Sequence, residues 1–159
     1  MSDPVESELP EVSILFATET CNAEDLSESA EKELTQAGFP VTRGSISEIE
    51  VDDLRERPVI LIIASTWGEG EAPSEAVDFH EEFISVEPLG LVGTRFSVLG
   101  LGDTAYEHFC QCGKDFDHHL ERHGAQRLYA RADCDVDFDD SFGEWIAGVL
   151  NALKAPTAA

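Results

Sequence analysis

Positive charge is scarce in this 159-residue chain. Lysine and arginine together number 10, against 33 aspartates and glutamates, which gives a formal net charge of −23 at pH 7. Binding to bare nucleic acid or to anionic lipid needs a basic patch, so this balance argues against both kinds of partner. It favours a basic protein partner that is drawn in by the electrostatic field, or else simple solubility or adaptation to high salt.

Long apolar runs and targeting signals are also lacking. No run approaches the ~20 apolar residues that a membrane span needs. The segment that begins at Met1 has neither a basic nor an apolar region typical of a signal peptide, so we expect a cytoplasmic protein. In that compartment the four cysteines are expected to be thiols rather than disulfides. They are Cys21, Cys110, Cys112 and Cys134.

Metal-site patterns are incomplete. Cys110-Gln111-Cys112 lacks the second pair of ligands that a structural zinc site requires. His119 and His123 are spaced i, i+4, and in the absence of a partner motif we expect them on a solvated helix surface. The sequence therefore predicts no metal site.

Short apolar runs alternate with helical patterns along most of the chain. Runs rich in Val, Ile and Leu predict buried strands at about 12–17, 40–44, 58–65, 95–101 and 126–132, with 58–65 central. Apolar residues at helical spacing predict helices at about 23–37, from Pro73 onward, at about 110–123, and over the last apolar repeat from Phe142 to Leu153. Residues 46–54 are expected to form an irregular acidic connection. This alternation predicts a three-layer α/β fold: a five-stranded parallel sheet in the order 2-1-3-4-5, with helices on both faces.

Single positions and boundaries within this scheme are also predicted. Asn22 is expected to cap the first helix and Gly38 to end it. Phe116 and Leu120 are expected to face inward. The apolar pattern of the second helix is carried by Ala76, Val77, His80, Phe83 and Ile84. Residues 1–10 are expected to be a disordered acidic leader, 11–154 a single domain and 155–159 a tail.

Three polar loops follow three of the predicted strands. In open α/β sheets, ligands bind at the carboxyl ends of the strands, so these loops are the candidate binding site. They read Thr18-Glu19-Thr20-Cys21-Asn22, Ser65-Thr66-Trp67-Gly68-Glu69-Gly70 and Leu101-Gly102-Asp103-Thr104-Ala105-Tyr106.

The first loop is rich in hydroxyl groups and leads into a helix start. Free backbone N–H groups and the positive end of the helix dipole attract an anion there. The loop has neither the Gly-Lys-Ser/Thr of a P-loop nor the Gly-x-Gly-x-x-Gly of a dinucleotide site. It suits one phosphomonoester held by neutral donors, although an ordinary helix cap would explain the same residues equally well.

The other two loops each carry an aromatic residue. Trp67 and Tyr106 can enclose a flat heterocycle, and such stacking contributes ~0.5–1.5 kcal/mol per pair beyond burial. Gly68 can turn its peptide either way, which lets its carbonyl face a ring nitrogen that gains a proton. Acidic residues around the loops would disfavour an anionic reduced ring. Those residues are Glu69, Glu71, Asp103 and Glu107.

These segments resemble the FMN-binding, flavodoxin-like domain of diflavin reductases, and most closely the flavoprotein component of NADPH-sulfite reductase. The matching stretches are ILFATETCNAEDLS, IIASTWGEGEAPSEAVDFHEEF and LGLGDTAYEHFCQCGKDFDHHLERHGAQRLYARADCDVDF. The resemblance implies a flavoprotein for one-electron transport, with no catalytic residue in this domain.

The resemblance also implies which residues contact FMN. The phosphate loop would comprise Thr18, Glu19, Thr20, Cys21, Asn22 and Ala23. One face of the flavin would lie against Ser65, Thr66, Trp67 and Gly68. The other face would lie against Leu101, Gly102, Asp103, Tyr106, Phe109 and Cys110, with Tyr106 stacking on the ring.

The chain departs from the family in three places. Cys21 stands where the family usually has Gly, and a non-Gly residue at positive φ costs ~1–2 kcal/mol, so strain alone would weaken FMN binding rather than abolish it. Trp67 replaces the usual Gln. The NADPH- and FAD-binding module is absent from these 159 residues, so a separate reductase is expected, together with an acceptor such as sulfite reductase haemoprotein.

Three other interpretations compete with that of an electron carrier. An FMN-free interaction or regulatory module is supported by Cys21. A response-regulator receiver is rejected, because its phosphorylatable Asp is missing after the third strand, where Ala64-Ser65-Thr66 stand. A cysteine-based enzyme at Cys21 or Cys110 has thin support, since no histidine is placed by motif to activate either thiol.

Overall fold

The computed structural model describes residues 10–17, 22–65, 76–101, 111–134 and 139–154. The predicted tail and all of the predicted leader except Pro10 lie outside these ranges, so the domain bounds remain a prediction.

Strands and helices alternate through the described residues as the sequence predicts. The strands are β1 (Val12–Ala17), β2 (Val41–Ser45), β3 (Val59–Ser65), β4 (Arg95–Leu101), β5 (Gln126–Arg127) and β6 (Ala132–Cys134). The helices are α1 (Asn22–Gln36), α2 (Val77–Ser85), α3 (Gln111–Arg122) and α4 (Asp139–Lys154), and two 3₁₀ helices span Ile46–Glu48 and Val51–Glu56.

The sheet is parallel throughout. Its order is β2-β1-β3-β4, and β5 and β6 both pair with β4 on the far side. The predicted order 2-1-3-4-5 is therefore confirmed, and β3 is central as expected. β1 pairs with β3 from Val12↔Val59 to Ala17↔Ala64, without a break in register.

Alternate residues of the buried strands supply two separate cores. On one face, Val12, Ile14 and Phe16 of β1 pack with α1 and α4, whose buried residues include Leu34 and Trp145. On the other face, Leu15 and Ala17 belong to the core that contains α2 and α3. Because a strand's side chains alternate in direction, one continuous apolar run serves both faces, and the three-layer fold is confirmed.

Gly38 ends α1 as predicted. It adopts φ 97°, and its N–H donates to the carbonyl of Thr35 at 3.0 Å. The N–H of Phe39 donates to the carbonyl of Leu34 at 3.1 Å, and both of these side chains are buried. This is a Schellman motif with its hydrophobic contact, which needs a residue in the left-handed region and so favours glycine.

The predicted fifth strand, 126–132, is split into two short strands. Between them the hydroxyl of Ser97 on β4 donates to the carbonyl of Tyr129 at 3.0 Å, and Trp145 Nε1 donates to the same hydroxyl at 2.9 Å. A side chain therefore takes the place of the ladder hydrogen bond at this point. The prediction of one continuous strand was wrong, because the apolar pattern of a sequence does not show where a side-chain hydrogen bond replaces a backbone one.

Smaller differences concern single positions. Asn22 is the first residue of α1 rather than a flanking cap, a shift within the usual uncertainty of helix ends. Val77 is 37% exposed, whereas Phe79 is buried and supplies the inward face of α2. The acidic connection is not irregular, because it forms two 3₁₀ helices. Each of them begins with a capping box.

The expectation of a solvated His119–His123 surface was wrong for His123. Its side chain is fully buried, and both ring nitrogens have backbone partners within hydrogen-bond distance. The i, i+4 spacing was compatible with either orientation, and tertiary packing decided between them. Phe116 and Leu120 of α3 are buried, as predicted.

Candidate functional site

Three adjacent strands end together at the carboxyl edge of the sheet. Ala17 at the end of β1 is opposite Ala64 of β3, and Ser65 at the end of β3 is opposite Leu101 at the end of β4. The predicted ligand loops follow directly from these three ends. Their starting points are therefore neighbours in space, as a single site built from three loops requires.

The structure describes four of the predicted site residues. Asn22 and Ala23 begin α1, Ser65 ends β3 and Leu101 ends β4. Ala23 and Leu101 are buried, so their side chains pack inside the domain and only their main chain is suited to face a ligand. The remaining predicted residues lie outside the described ranges; they are Thr18, Glu19, Thr20, Cys21, Thr66, Trp67, Gly68, Gly102, Asp103, Tyr106, Phe109 and Cys110.

The start of α1 is suited to a small anion. The first N–H groups of any α-helix lack intrahelical partners and lie at the positive end of the dipole. Glu24 and Asp25 stand in the first turn and oppose that attraction with two negative charges. Asp25 is exposed and Glu24 partly exposed, so solvent screens much of their effect. Binding of a phosphate monoester there stays a prediction, because residues 18–21 lie outside the described ranges.

The close approach of α3 to β4 depends on a pair of glycines that the sequence reasoning missed. A Cβ atom on Gly113 would lie 2.9 Å from the Cα atom of Gly100. Gly100 is next to the last residue of β4, and Gly113 lies in the first turn of α3. The pair therefore lets the start of α3 lie close to the end of β4. One glycine in a strand and another in a helix leave no periodic pattern in the sequence, so hydrophobic periodicity did not identify the pair.

Cys134 lies beside the same edge. It ends β6, directly opposite Leu101 in the register. It is a buried thiol, and burial, together with the negative charge of Asp133, raises its pKa to about 11. A thiol with that pKa is almost fully protonated at neutral pH, so Cys134 is a poor nucleophile.

Two arginines beside the split strand, Arg127 and Arg131, form salt bridges with carboxylates. Asp117 of α3, whose side chain is only 7% exposed, accepts from Arg127 at 2.9 Å and 3.0 Å and from Arg131 at 2.9 Å. Arg131 also pairs with Asp133 at 2.8 Å. Hydrogen bonding to Asp117 raises the pKa of Arg127. Arg127 and Arg131 are therefore both held beside carboxylates at this edge of the sheet.

Among the described residues, no group of three or more His, Cys, Asp or Glu side chains is arranged to hold a metal ion. Within the same ranges, no helix has the length and apolar character to cross a membrane.

Comparison with known proteins decides the family. Residues 14–145 match the profile of the flavodoxin family. The chain belongs to the flavodoxin family. Flavodoxins bind FMN. The three predicted loops begin at the edge of the sheet where β1, β3 and β4 end.

Its curated relatives include flavoprotein alpha-components of NADPH-sulfite reductase. The chain is 46% identical over 144 residues to that of Bacillus subtilis and 41% identical over 147 residues to that of Mannheimia succiniciproducens. These alignments cover 91% and 92% of this chain but only 24% and 25% of the relatives. The chain thus spans about a quarter of the length of the relatives it matches.

Solved structures support the same assignment. The flavodoxin of Streptococcus pneumoniae TIGR4 superposes with a TM-score of 0.80 at 27% identity, covering 90% of this chain and 97% of its own. Flavodoxin 1 of Bacillus cereus, at 19% identity, superposes with a TM-score of 0.79 and supports the fold.

Proposed function

We propose that this flavodoxin-family chain is an electron carrier that binds FMN at the carboxyl edge of its sheet. The observation that carries the proposal is the adjacency of the ends of β1, β3 and β4, from which the three predicted loops depart. Membership of the flavodoxin family indicates FMN as the cofactor, and the start of α1 is suited to bind its phosphate.

We propose that three loops share the work of holding FMN. The first loop and the start of α1, residues 18–23, would bind the phosphate through backbone N–H groups and hydroxyls. Residues 65–68 and the segment from Leu101 to Cys110 would enclose the ring, with Trp67 and Tyr106 on its two faces. FMN supplies one-electron chemistry when bound. The chain's own residues orient the ring, exclude water from it and surround it with negative charge.

We propose that electrons arrive from a separate NAD(P)H-dependent flavin reductase and leave to an acceptor with a basic docking surface. Sulfite reductase haemoprotein is the acceptor class that the relatives suggest, since they are named as components of that system. A net charge of −23 steers basic partners into contact and promotes rapid association more than tight binding.

FMN titrations of two variants and a control test the ring contacts, with quenching of flavin fluorescence as the measure of binding. We expect Trp67→Ala and Tyr106→Ala each to raise the FMN Kd by about tenfold, because each removes one stacking face worth about 1 kcal/mol or more. Val92→Ala is the control, since Val92 is 88% exposed in the turn before β4, at the opposite edge of the sheet. Equal affinities in all four proteins would contradict the proposed ring site.

An FMN-free interaction module is the second candidate, and Cys21 is the observation that favours it. If a positive φ is needed at that position, Cys21→Gly should tighten FMN binding by about tenfold, because the strain of ~1–2 kcal/mol is relieved. A wild-type chain that leaves FMN free while Cys21→Gly binds it would favour the module. Tight binding by both proteins would favour the carrier.

A further inference from the structure

The buried ring of His123 joins three segments on one face of the sheet. The N–H of Leu89 donates to Nδ1 at 3.0 Å, and Nε2 donates to the carbonyl of Phe83 at 2.9 Å. The main-chain carbonyl of His123 accepts from the N–H of Leu91 at 2.7 Å. Through these bonds the residue that follows α3 holds both the end of α2 and residues 86–91.

The partners of the ring define its proton state. A backbone N–H can only donate, so Nδ1 must be unprotonated to accept from Leu89. A carbonyl can only accept, so Nε2 must carry the proton that is given to Phe83. The ring is therefore the neutral Nε2–H tautomer. A second proton on Nδ1 would point at the Leu89 N–H and break that bond.

The surroundings of the ring oppose a second proton. Among the described residues, the titratable or charged groups that face it are Arg122 and His119, both from α3, while α2 contributes a carbonyl and residues 86–91 a backbone N–H. Within the described part of the chain, no carboxylate forms an ion pair with the ring. Burial, reinforced by the charge of Arg122, lowers the pKa of His123, although the hydrogen bond to the Phe83 carbonyl partly offsets this.

The position of Phe83 in α2 explains why its carbonyl binds donors from outside the helix. Phe83 lies in the last turn of α2, where carbonyls lack intrahelical donors. Its carbonyl accepts a hydrogen bond from His123 and another from Arg122 Nη2 at 3.2 Å. The rings of Phe83 and His123 lie 4.7 Å apart between centroids. Side chains from the end of α3 thus cap α2 from outside the helix.

We propose that His123 is an acid-sensitive clasp that holds α2, residues 86–91 and α3 together only while its ring is neutral. Above about pH 6.5, the ordinary value for histidine, the ring is neutral in both the folded and the unfolded chain, so the clasp contributes its full stability. As the pH falls below that value, the unfolded chain takes up the proton first. The contribution is then lost progressively down to the lower pKa of the folded state.

The test compares urea unfolding of the wild-type protein with His123→Gln and His118→Gln between pH 7.5 and 5.5. Gln at 123 can still donate to the Phe83 carbonyl but does not titrate, and His118 is an exposed histidine of α3. We expect the folding equilibrium constant of the wild type and of His118→Gln to fall by up to about tenfold per pH unit below 6.5 relative to His123→Gln. Parallel pH profiles for all three proteins would overturn the proposal.

A second measurement keeps the proposal falsifiable if His123→Gln does not fold. Nitrogen chemical shifts of the histidine rings in the wild-type protein report each tautomer directly. We expect His123 to show an unprotonated Nδ1 and a protonated Nε2 at pH 7, with a titration midpoint below 6.5. A protonated Nδ1 at pH 7, or a midpoint at or above 6.5, would overturn it.

Discussion

At the scale of single residues, the buried carboxylate of Asp117 is a test of internal electrostatics. It accepts hydrogen bonds from two arginines on the split edge of the sheet, and its side chain is 7% exposed. Removing its charge would leave Arg127 and Arg131 competing for a neutral acceptor. We expect Asp117→Asn to lower the free energy of unfolding by about 2–3 kcal/mol, somewhat less than a fully buried pair because both arginines are partly exposed.

The matched control for that prediction is Glu121→Gln. Glu121 also pairs with Arg127, at 3.3 Å, but its side chain is 61% exposed. Exposed pairs contribute little, so we expect a change within about 0.5 kcal/mol. Both values come from urea unfolding at neutral pH. Equal effects of the two substitutions would contradict the claim that burial makes Asp117 important.

At the scale of elements, the contact between β4 and α3 is set by glycines. Gly113→Ala would place a Cβ 2.9 Å from backbone of Gly100, so the helix must move away from the strand. We expect a loss of about 1–3 kcal/mol, because overpacking outweighs the better helix propensity of alanine. Thermal or urea unfolding measures this effect.

Gly143→Ala in α4 is the control for the same substitution. A Cβ there meets no atom within 4 Å, so only helix propensity changes. We expect this variant to be more stable than the wild type by up to about 1 kcal/mol. A Gly113→Ala protein as stable as Gly143→Ala would show that the helix and strand are not in the close contact described.

The same elements show how far the sequence predicts the fold. β1 and β4 were predicted to the residue and β3 to within one, because a buried parallel strand is a continuous apolar run with sharp ends. The fifth strand was not, since the Ser97 hydroxyl replaces its ladder bond in the middle. The ends of β1, β3 and β4 could be placed at one edge from the predicted topology alone. The glycine pair and the inward His123 could not, since both depend on which atoms meet across the fold.

At the scale of the whole molecule, the charge of −23 predicts how electron transfer depends on salt. Attraction between an acidic carrier and a basic partner is screened within about 8 Å at physiological ionic strength. We expect the second-order rate of reduction of a basic acceptor protein to fall by at least tenfold between about 20 mM and 500 mM NaCl. Stopped-flow absorbance of the acceptor follows the reaction.

A small neutral acceptor serves as the control for the salt series, because it experiences no long-range attraction. Its rate of reduction should stay nearly constant over the same range. If the protein acceptor shows the same flat dependence, the acidic surface serves solubility rather than recognition.

The central claim is that the three strand ends support an FMN site, and the visible spectrum of the purified protein with added FMN tests it most directly. We predict absorption bands of bound oxidised flavin near one equivalent of FMN, with quenched flavin fluorescence. A protein that stays colourless and leaves added FMN free and fluorescent would contradict the claim.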